Sequence, residues 1–102
     1  MTVDELEPLI VKWAQDRDIM KHSNPTAQLL KAVSEMGELA DAETKNENAE
    51  RMDAVGDIVV CLINYAHMRG FSVRQALESA YDEIKDRKGY MVPGGTFVKE
   101  EE

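Results

Sequence analysis

The sequence predicts an all-α fold of four helices followed by a short extended tail. Apolar residues recur every three or four positions in four segments, which is the period of an amphipathic helix. Start signals precede the first, second and fourth of these segments, and glycines follow the last two. At 102 residues the chain has the length of a single domain, and 43% of it is hydrophobic. A domain of this size is marginally stable alone, so we expect a homo-oligomer that completes the helical bundle.

The first two helices have clear N-terminal signals. Thr2 and Glu5 form a capping box, and the first helix is predicted over residues 3–20. Its apolar face holds Leu6, Leu9, Ile10 and Trp13. Asn24 followed by Pro25 predicts the start of a second helix over 25–44, because asparagine caps the N-terminus and proline fits the first turn.

The third helix is predicted over 49–69, with Gly70 as its stop. The β-branched run 58–60 is compatible with a strand, but the length of the segment and its 3.6-residue period favour a helix. Ser72 and Gln75 form a second capping box, which begins a fourth helix over 73–88. The tail, 89–102, contains the turn 93–95 and then a short extended piece over 96–98.

Charge and composition limit the classes of function. The 20 acidic residues exceed the 12 basic ones, which disfavours binding to nucleic acid or to an anionic membrane. A phosphorylated small molecule stays compatible, because carboxylates recruit a divalent cation that receives the phosphates. Cys61 is the single cysteine, which fits a reducing compartment. Residues 1–7 do not resemble a signal peptide and the apolar run 58–63 is too short to span a membrane, so we expect a cytoplasmic protein.

Two pairs of carboxylates suggest a metal site. Glu35 and Glu38 share one face of the second predicted helix, and Asp53 and Asp57 share one face of the third. Packed together, the two helices would bring these oxygen ligands into one space, which suits Mg²⁺ and phosphoryl chemistry. Chance spacing on a solvated face is the competing explanation, since acidic residues are frequent here. Asp57 argues against it, because it directly precedes an apolar run and its charge would be partly buried.

The order of these motifs resembles the MazG family of nucleoside triphosphate pyrophosphohydrolases. That family has two glutamates three residues apart on one helix, then an acidic pair and a Gly-Asp step that opens an apolar helix. The resemblance extends over residues 22–99, and its segments here are Glu35–Ala40, Asp53–Val59, Leu62–Ala66 and Ala80–Gly89.

The resemblance implies a fold of tightly paired helices that forms homodimers or homotetramers. It implies hydrolysis of a nucleoside triphosphate to the monophosphate and pyrophosphate, with Mg²⁺ (or Mn²⁺) held by Glu35, Glu38 and Asp57. Glu38 is our choice for the catalytic glutamate that orients or deprotonates water, with Glu35 beside it. The family usually has a glutamate three residues before the Gly-Asp aspartate, where this chain has Ala54. Asp53 is expected to supply the missing oxygen, directly or through water.

Five further residues are candidates for substrate binding, and four of them have a structural alternative. Asn64 either bonds a neighbouring helix or contacts the sugar or phosphate. Lys31 either pairs with Glu35 or contacts a phosphate, and Gln28 is placed to contact the base or sugar. Lys85 and Lys88 either stabilise the end of the last helix or reach the triphosphate.

Two other functions remain compatible with the sequence. A dUTP hydrolase or a phosphoribosyl-ATP pyrophosphohydrolase would share the fold and metal chemistry and differ in substrate. A non-catalytic helical oligomerisation or regulatory module would also account for the helices, and Ala54 is the residue that favours it. The joint presence of Glu35, Glu38 and Asp57 argues against a non-catalytic module.

Overall fold

A computed structural model of the protein describes residues 1–100 as five helices and a C-terminal β-hairpin. The helical fold class predicted from the sequence is confirmed. The elements are α1 (Val3–Asp16), α2 (Ile19–His22), α3 (Pro25–Lys45), α4 (Asn48–Arg69), α5 (Val73–Ile84), β1 (Gly89–Val92) and β2 (Thr96–Lys99).

Helix ends follow the capping signals of the sequence. The Thr2 and Ser72 side chains each take part in a capping box, at the starts of α1 and α5. The Asn24 Oδ1 atom accepts a hydrogen bond of 2.8 Å from the Ala27 amide at the start of α3. Asn46 and Gly70 end α3 and α4 in the left-handed conformation, at φ 56° and 86°. Local chemistry therefore sets three of the four ends of the two long helices, while the start of α4 at Glu47 has no side-chain cap.

The first predicted helix is broken, and its expected end at residue 20 is wrong. Asp18 adopts a left-handed conformation at φ 59°, which aspartate tolerates better than most residues. The Asp18 amide donates to the Gln15 carbonyl at 3.0 Å, which closes the last turn of α1. The chain then changes direction and forms the single turn of α2.

The last helix is also shorter than predicted, because its end belongs to a hairpin that the sequence analysis missed. The Lys88 carbonyl accepts a hydrogen bond of 2.9 Å from the Glu100 amide, so Lys88 lies in extended pairing and not in the predicted helix 73–88. Gly89 pairs with Lys99 and Val92 with Thr96 in an antiparallel ladder. Gly94 and Gly95 both have positive φ in the connecting turn, which glycine adopts without strain.

Helices α3 and α4 form the centre of the fold as a long antiparallel pair. Small side chains allow this close approach: the buried apolar residues of the pair are Ala32, Ala42, Ala54, Cys61, Ile63 and Ala66. Arg51 ties the turn between the helices, with bonds of 2.9 Å to the Glu43 carboxylate and 2.8 Å to the Asn46 side chain. The β-branched run 58–60 is helical, as predicted.

Helix α1 packs on α4 and holds the start of α5 through Glu7. The two carboxylate oxygens of Glu7 accept hydrogen bonds from the Val73 and Arg74 amides, at 2.7 and 3.1 Å. Glu7 is 9% exposed. The carboxylate satisfies amides that the first turn of α5 leaves without helical partners, and its charge complements the helix dipole. Glu7 therefore holds the start of α5 on α1, and the exposed ion pair of Asp4 with Arg74, at 3.5 Å, adds a second link between the two helices.

Replacing Glu7 with glutamine is expected to lower the free energy of unfolding by about 2 kcal/mol, because one of two charge-assisted bonds is lost and the amide nitrogen faces an N–H donor. Urea unfolding at one fixed protein concentration measures the change. Glu83→Gln, on the exposed side of α5, removes the same charge and should stay within about 0.5 kcal/mol of the wild type. Equal stabilities of the two variants would contradict this role of Glu7.

Much of the apolar surface predicted to form helix faces is exposed in the single chain. Leu30 and Val33 on α3, Met52 on α4, and Leu77 and Tyr81 on α5 are each more than half exposed. The radius of gyration is 16.4 Å, against about 13 Å for a compact chain of this length. Exposed apolar area of this extent is typical of chains that bury it against another protein surface. Within residues 1–100, no helix has the length and hydropathy required to cross a bilayer.

Candidate functional site

A cavity of about 360 Å³ lies between α3 and α4 near the turn that joins them. The antiparallel pairing brings Glu38 of α3 opposite Asp53 and Asp57 of α4, so three of the four predicted metal ligands line one space. Six acidic residues and a single basic one, Lys45, line the cavity. Its full lining is Glu38, Asp41, Ala42, Lys45, Glu47, Glu50, Asp53, Ala54 and Asp57.

The fourth predicted ligand, Glu35, lies next to this cavity and interacts with its carboxylates. A hydrogen bond with the Glu38 carboxyl raises the pKa of Glu35, and burial and the negative charges of Glu38 and Asp57 raise it further. The Lys31 ammonium acts in the opposite direction. The Glu35 Oε2 atom is sealed from solvent without a hydrogen-bond partner. When Glu35 and Glu38 are both ionised, each carboxylate can only accept, so Oε2 lacks a donor.

A divalent cation fits this set of donors. Carboxylate oxygens are the ligands that Mg²⁺ and Mn²⁺ prefer, and a cation would meet the unpartnered Oε2 and relieve the repulsion around Glu35. Within residues 1–100, no three histidine, cysteine, aspartate or glutamate side chains converge closely enough to hold one ion as they stand. The Glu35 and Glu38 carboxyls already interact with each other, so a cation site would require further carboxylates to turn toward this pair.

Ala54, which stands where the MazG pattern has a glutamate, lies at the carboxylate cavity. Ala54 is 4% exposed and lines the cavity, so a glutamate at this position would enter the carboxylate cluster. Asp53 lines the same cavity one residue earlier. The expectation that Asp53 takes over from the missing glutamate is therefore compatible with its position, and it stays a prediction.

Two of the predicted substrate-binding residues, Asn64 and Gln28, are buried in the helix pair, and a third, Lys31, is exposed on α3. Asn64 is 3% exposed and its Oδ1 atom has no hydrogen-bond partner. Gln28 is buried and its Nε2 atom donates to the Ser23 hydroxyl at 3.0 Å. Burial raises the pKa of the Cys61 thiol. The Lys31 charge acts in the opposite direction on both Cys61 and Glu35, although the pKa of each group stays above its usual value.

The two predicted basic residues of the C-terminal region are not brought to this cavity. Neither Lys85 nor Lys88 belongs to the cavity lining. The Lys85 ammonium lies 3.4 Å from the Asp82 carboxylate of its own helix, in an exposed pair. Within one chain, these lysines are therefore separate from the carboxylates that they were predicted to assist.

Asp41 and Glu47 line the cavity but were not selected from the sequence. Asp41 follows Glu38 by three residues on α3 and so shares its face, a signal that was available from spacing alone. Glu47 lies in the turn before α4, and its position depends on how the two helices meet. A periodic pattern does not give that geometry.

Comparisons with known proteins give one similar fold and one similar segment. The MazG-like pyrophosphohydrolase of cyanophage S-2L, solved with dGDP and three catalytic Mn²⁺ ions per active site, superposes with a TM-score of 0.71. It is 20% identical, and the superposition covers 100% of this chain and 96% of that one.

An uncharacterised 18.2 kDa protein from the rep-hol intergenic region of Haemophilus phage HP1 (strain HP1c1) is 35% identical over 54 residues. That match covers 53% of this chain and 33% of the phage protein, so it spans about a third of the relative's length. No family model matches the chain. The superposition confirms, at the level of fold, the resemblance drawn from the sequence motifs: this chain has the all-α fold of the MazG-like pyrophosphohydrolases.

Proposed function

We propose that this protein is a metal-dependent hydrolase that converts a nucleoside triphosphate to the monophosphate and pyrophosphate. The observation that carries the proposal is the cavity in which Glu38, Asp53 and Asp57 meet, with Glu35 beside it, on the central helix pair. The MazG-like enzyme of the same fold, solved with a nucleotide and Mn²⁺, supports the assignment.

Four carboxylates would hold the cation: Glu35, Glu38, Asp57 and Asp53. Mg²⁺ is the expected ion, with Mn²⁺ as a substitute of the same ligand preference. When bound, such an ion polarises phosphoryl oxygens and neutralises the charge that develops on them.

Glu38 is the residue that we assign to act on water. It lines the cavity and is exposed, so a water molecule can reach its carboxylate. Glu35 is half-buried with one oxygen sealed, which suits a group that positions the Glu38 carboxyl better than one that exchanges protons with solvent. Glu38 would orient the attacking water and accept its proton. The water oxygen then bonds to one phosphorus of the α–β phosphoanhydride, and the bridging P–O bond breaks to give the monophosphate and pyrophosphate.

Asn64 and Gln28 would contact the nucleoside. The unpartnered Asn64 Oδ1 is an acceptor, and phosphate oxygens at neutral pH offer it no donor. A sugar hydroxyl or a base amino group does, and Asn64 lies seven residues, about 10 Å, along α4 from Asp57. That distance suits a nucleoside whose phosphates lie at the carboxylates. Lys31, whose charge acts on Glu35, would contact a phosphate oxygen.

Hydrolysis should stop completely in excess chelator and return when Mg²⁺ or Mn²⁺ is restored, because the carboxylates alone repel a triphosphate. Pyrophosphate release is measured across common and modified nucleotides, ribose and deoxyribose forms, dUTP and phosphoribosyl-ATP. This panel identifies the preferred base and sugar. It also tests whether the protein is a dUTP hydrolase or a phosphoribosyl-ATP pyrophosphohydrolase. Full turnover in chelator would remove the metal from the mechanism. Absence of turnover for every substrate with Mg²⁺ would favour a non-catalytic module, to which Ala54 already points.

A further inference from the structure

Lys45 is the one basic residue that lines the acidic cavity between α3 and α4. Asp41 precedes it by four residues on α3, which is the usual spacing of a helical ion pair. Within residues 1–100, however, no carboxylate oxygen lies within ion-pair distance of the Lys45 ammonium. Arg51, a second basic residue beside the turn, is held by Glu43 and Asn46. The Lys45 charge is therefore available to a ligand in the cavity.

The position of Lys45 along the helix pair defines one end of the site. Lys45 follows Glu38 by seven residues on α3, so it lies about 10 Å from Glu38 toward the turn. Asn64 follows Asp57 by seven residues on α4, which runs antiparallel to α3. Asn64 therefore lies about 10 Å from Asp57 in the opposite direction, away from the turn. The carboxylates of the site thus lie between Lys45 at one end and Asn64 at the other.

These two ends offer different chemistry to a nucleotide. The Asn64 Oδ1 atom is an acceptor, so it suits a sugar hydroxyl or a base amino group and not a phosphate. The Lys45 ammonium only donates and carries a positive charge, so it suits phosphate oxygens. Phosphates that extend from the carboxylates toward the turn would be repelled by Glu47 and Glu50, which also line the cavity. Lys45 is the side chain of the lining that offsets this repulsion.

We propose that Lys45 binds the terminal phosphates of the substrate, so that the nucleotide lies along the helix pair with its pyrophosphate portion at the turn. This inference rests on the proposed function and adds the direction in which the substrate lies. It also makes Lys45 a residue that selects triphosphates over monophosphates. A nucleoside monophosphate held between Asn64 and Asp57 would end before the turn and would not reach the Lys45 ammonium.

Calorimetric binding of inorganic pyrophosphate, in the presence of Mg²⁺, tests the proposal without any need for turnover. Lys45→Met keeps the length of the side chain and removes its charge, so it should weaken pyrophosphate binding by about 10- to 100-fold. The affinity of this variant for the nucleoside monophosphate product should equal that of the wild type. Lys45→Arg restores the charge and should recover most of the pyrophosphate affinity. Lys21→Met removes an equal charge from α2, outside the cavity, and should change neither affinity.

Steady-state kinetics supply a second readout. Inhibition of wild-type turnover by added pyrophosphate should weaken in Lys45→Met by the same factor as binding, while inhibition by the monophosphate stays constant. Pyrophosphate binding as tight in Lys45→Met as in the wild type would overturn the proposal, and continued hydrolysis by the wild type would leave the proposed function standing. A loss of stability alone would then assign Lys45 to the dipole of α3.

Two other outcomes would also contradict the proposal. Weaker binding of the monophosphate, with pyrophosphate binding unchanged, would place the nucleoside at the turn and reverse the direction of the substrate. A wild-type protein that neither hydrolyses a nucleotide nor binds pyrophosphate with Mg²⁺ would remove the proposed function and this role of Lys45 together. Circular dichroism checks that each variant is folded.

Discussion

Replacing Glu38 with glutamine is expected to abolish hydrolysis and to leave the cation-free protein at least as stable as the wild type. Removal of one negative charge relieves the repulsion that raises the pKa of Glu35. The new amide can also donate a hydrogen bond to the sealed Glu35 Oε2 atom, which has no partner in the wild type. The same substitution removes a cation ligand and the acceptor of the proton of the attacking water. Turnover should therefore fall by about a thousandfold or more.

Two paired measurements separate this expectation from a purely structural role for Glu38. Turnover is assayed with Mg²⁺, and thermal melts are recorded with and without Mg²⁺ and a poorly hydrolysed nucleotide. Wild type should gain about 2.7 kcal/mol at a ligand concentration a hundredfold above Kd, and Glu38→Gln should gain much less. Glu83→Gln removes an exposed charge of α5 and should match the wild type in both assays. If Glu38→Gln keeps activity and ligand-induced stabilisation, Glu38 lies outside the site.

The central helices could be predicted because their signals are local. Asn24-Pro25 and Gly70 fix helix ends through the backbone geometry that these residues adopt themselves. The break at Asp18 was missed because aspartate is compatible with both a helix and a left-handed turn, so its own identity does not decide between them. The first hairpin strand was missed because its pairing partner lies across the turn, and pairing is not a property of one segment.

Some residues of the candidate site could likewise be predicted from local spacing, and others could not. Helical spacing placed Glu35 with Glu38, and Asp53 with Asp57, on shared faces, and the antiparallel pairing then joined the two sets. Spacing could not position Lys85 and Lys88, because their distance from the carboxylates depends on where α5 points. The direction of α5 depends on Glu7, which accepts a hydrogen bond from the Val73 amide 66 residues later. The sequence alone does not indicate that these two residues meet.

Asparagine at position 53 is expected to weaken binding of Mn²⁺ or Mg²⁺ by about 10- to 100-fold, the effect usually found when a group that orients a metal ligand or its bound water is lost. Asp53 lines the cavity beside Asp57, and asparagine keeps its shape while removing the charge. Calorimetric titration of the cation measures Kd without any need for turnover. Asp41→Asn is the informative comparison, since Asp41 lines the same cavity but was not selected as a ligand. Equal losses in the two variants would indicate general electrostatic attraction, and no loss in Asp53→Asn would remove Asp53 from the metal site.

Ala54→Glu completes this test, because it restores the glutamate that the MazG pattern has at this position. Ala54 is buried and lines the cavity, so the added carboxylate would join Glu38 and Asp57. Without a cation, the variant should be less stable than the wild type, since a further buried charge increases the repulsion. With a cation, the added ligand should tighten binding, and it should rescue the Asp53→Asn variant more than it improves the wild type. A double-mutant cycle on cation Kd measures that difference. Simple additivity would show that residues 53 and 54 do not supply the same ligand.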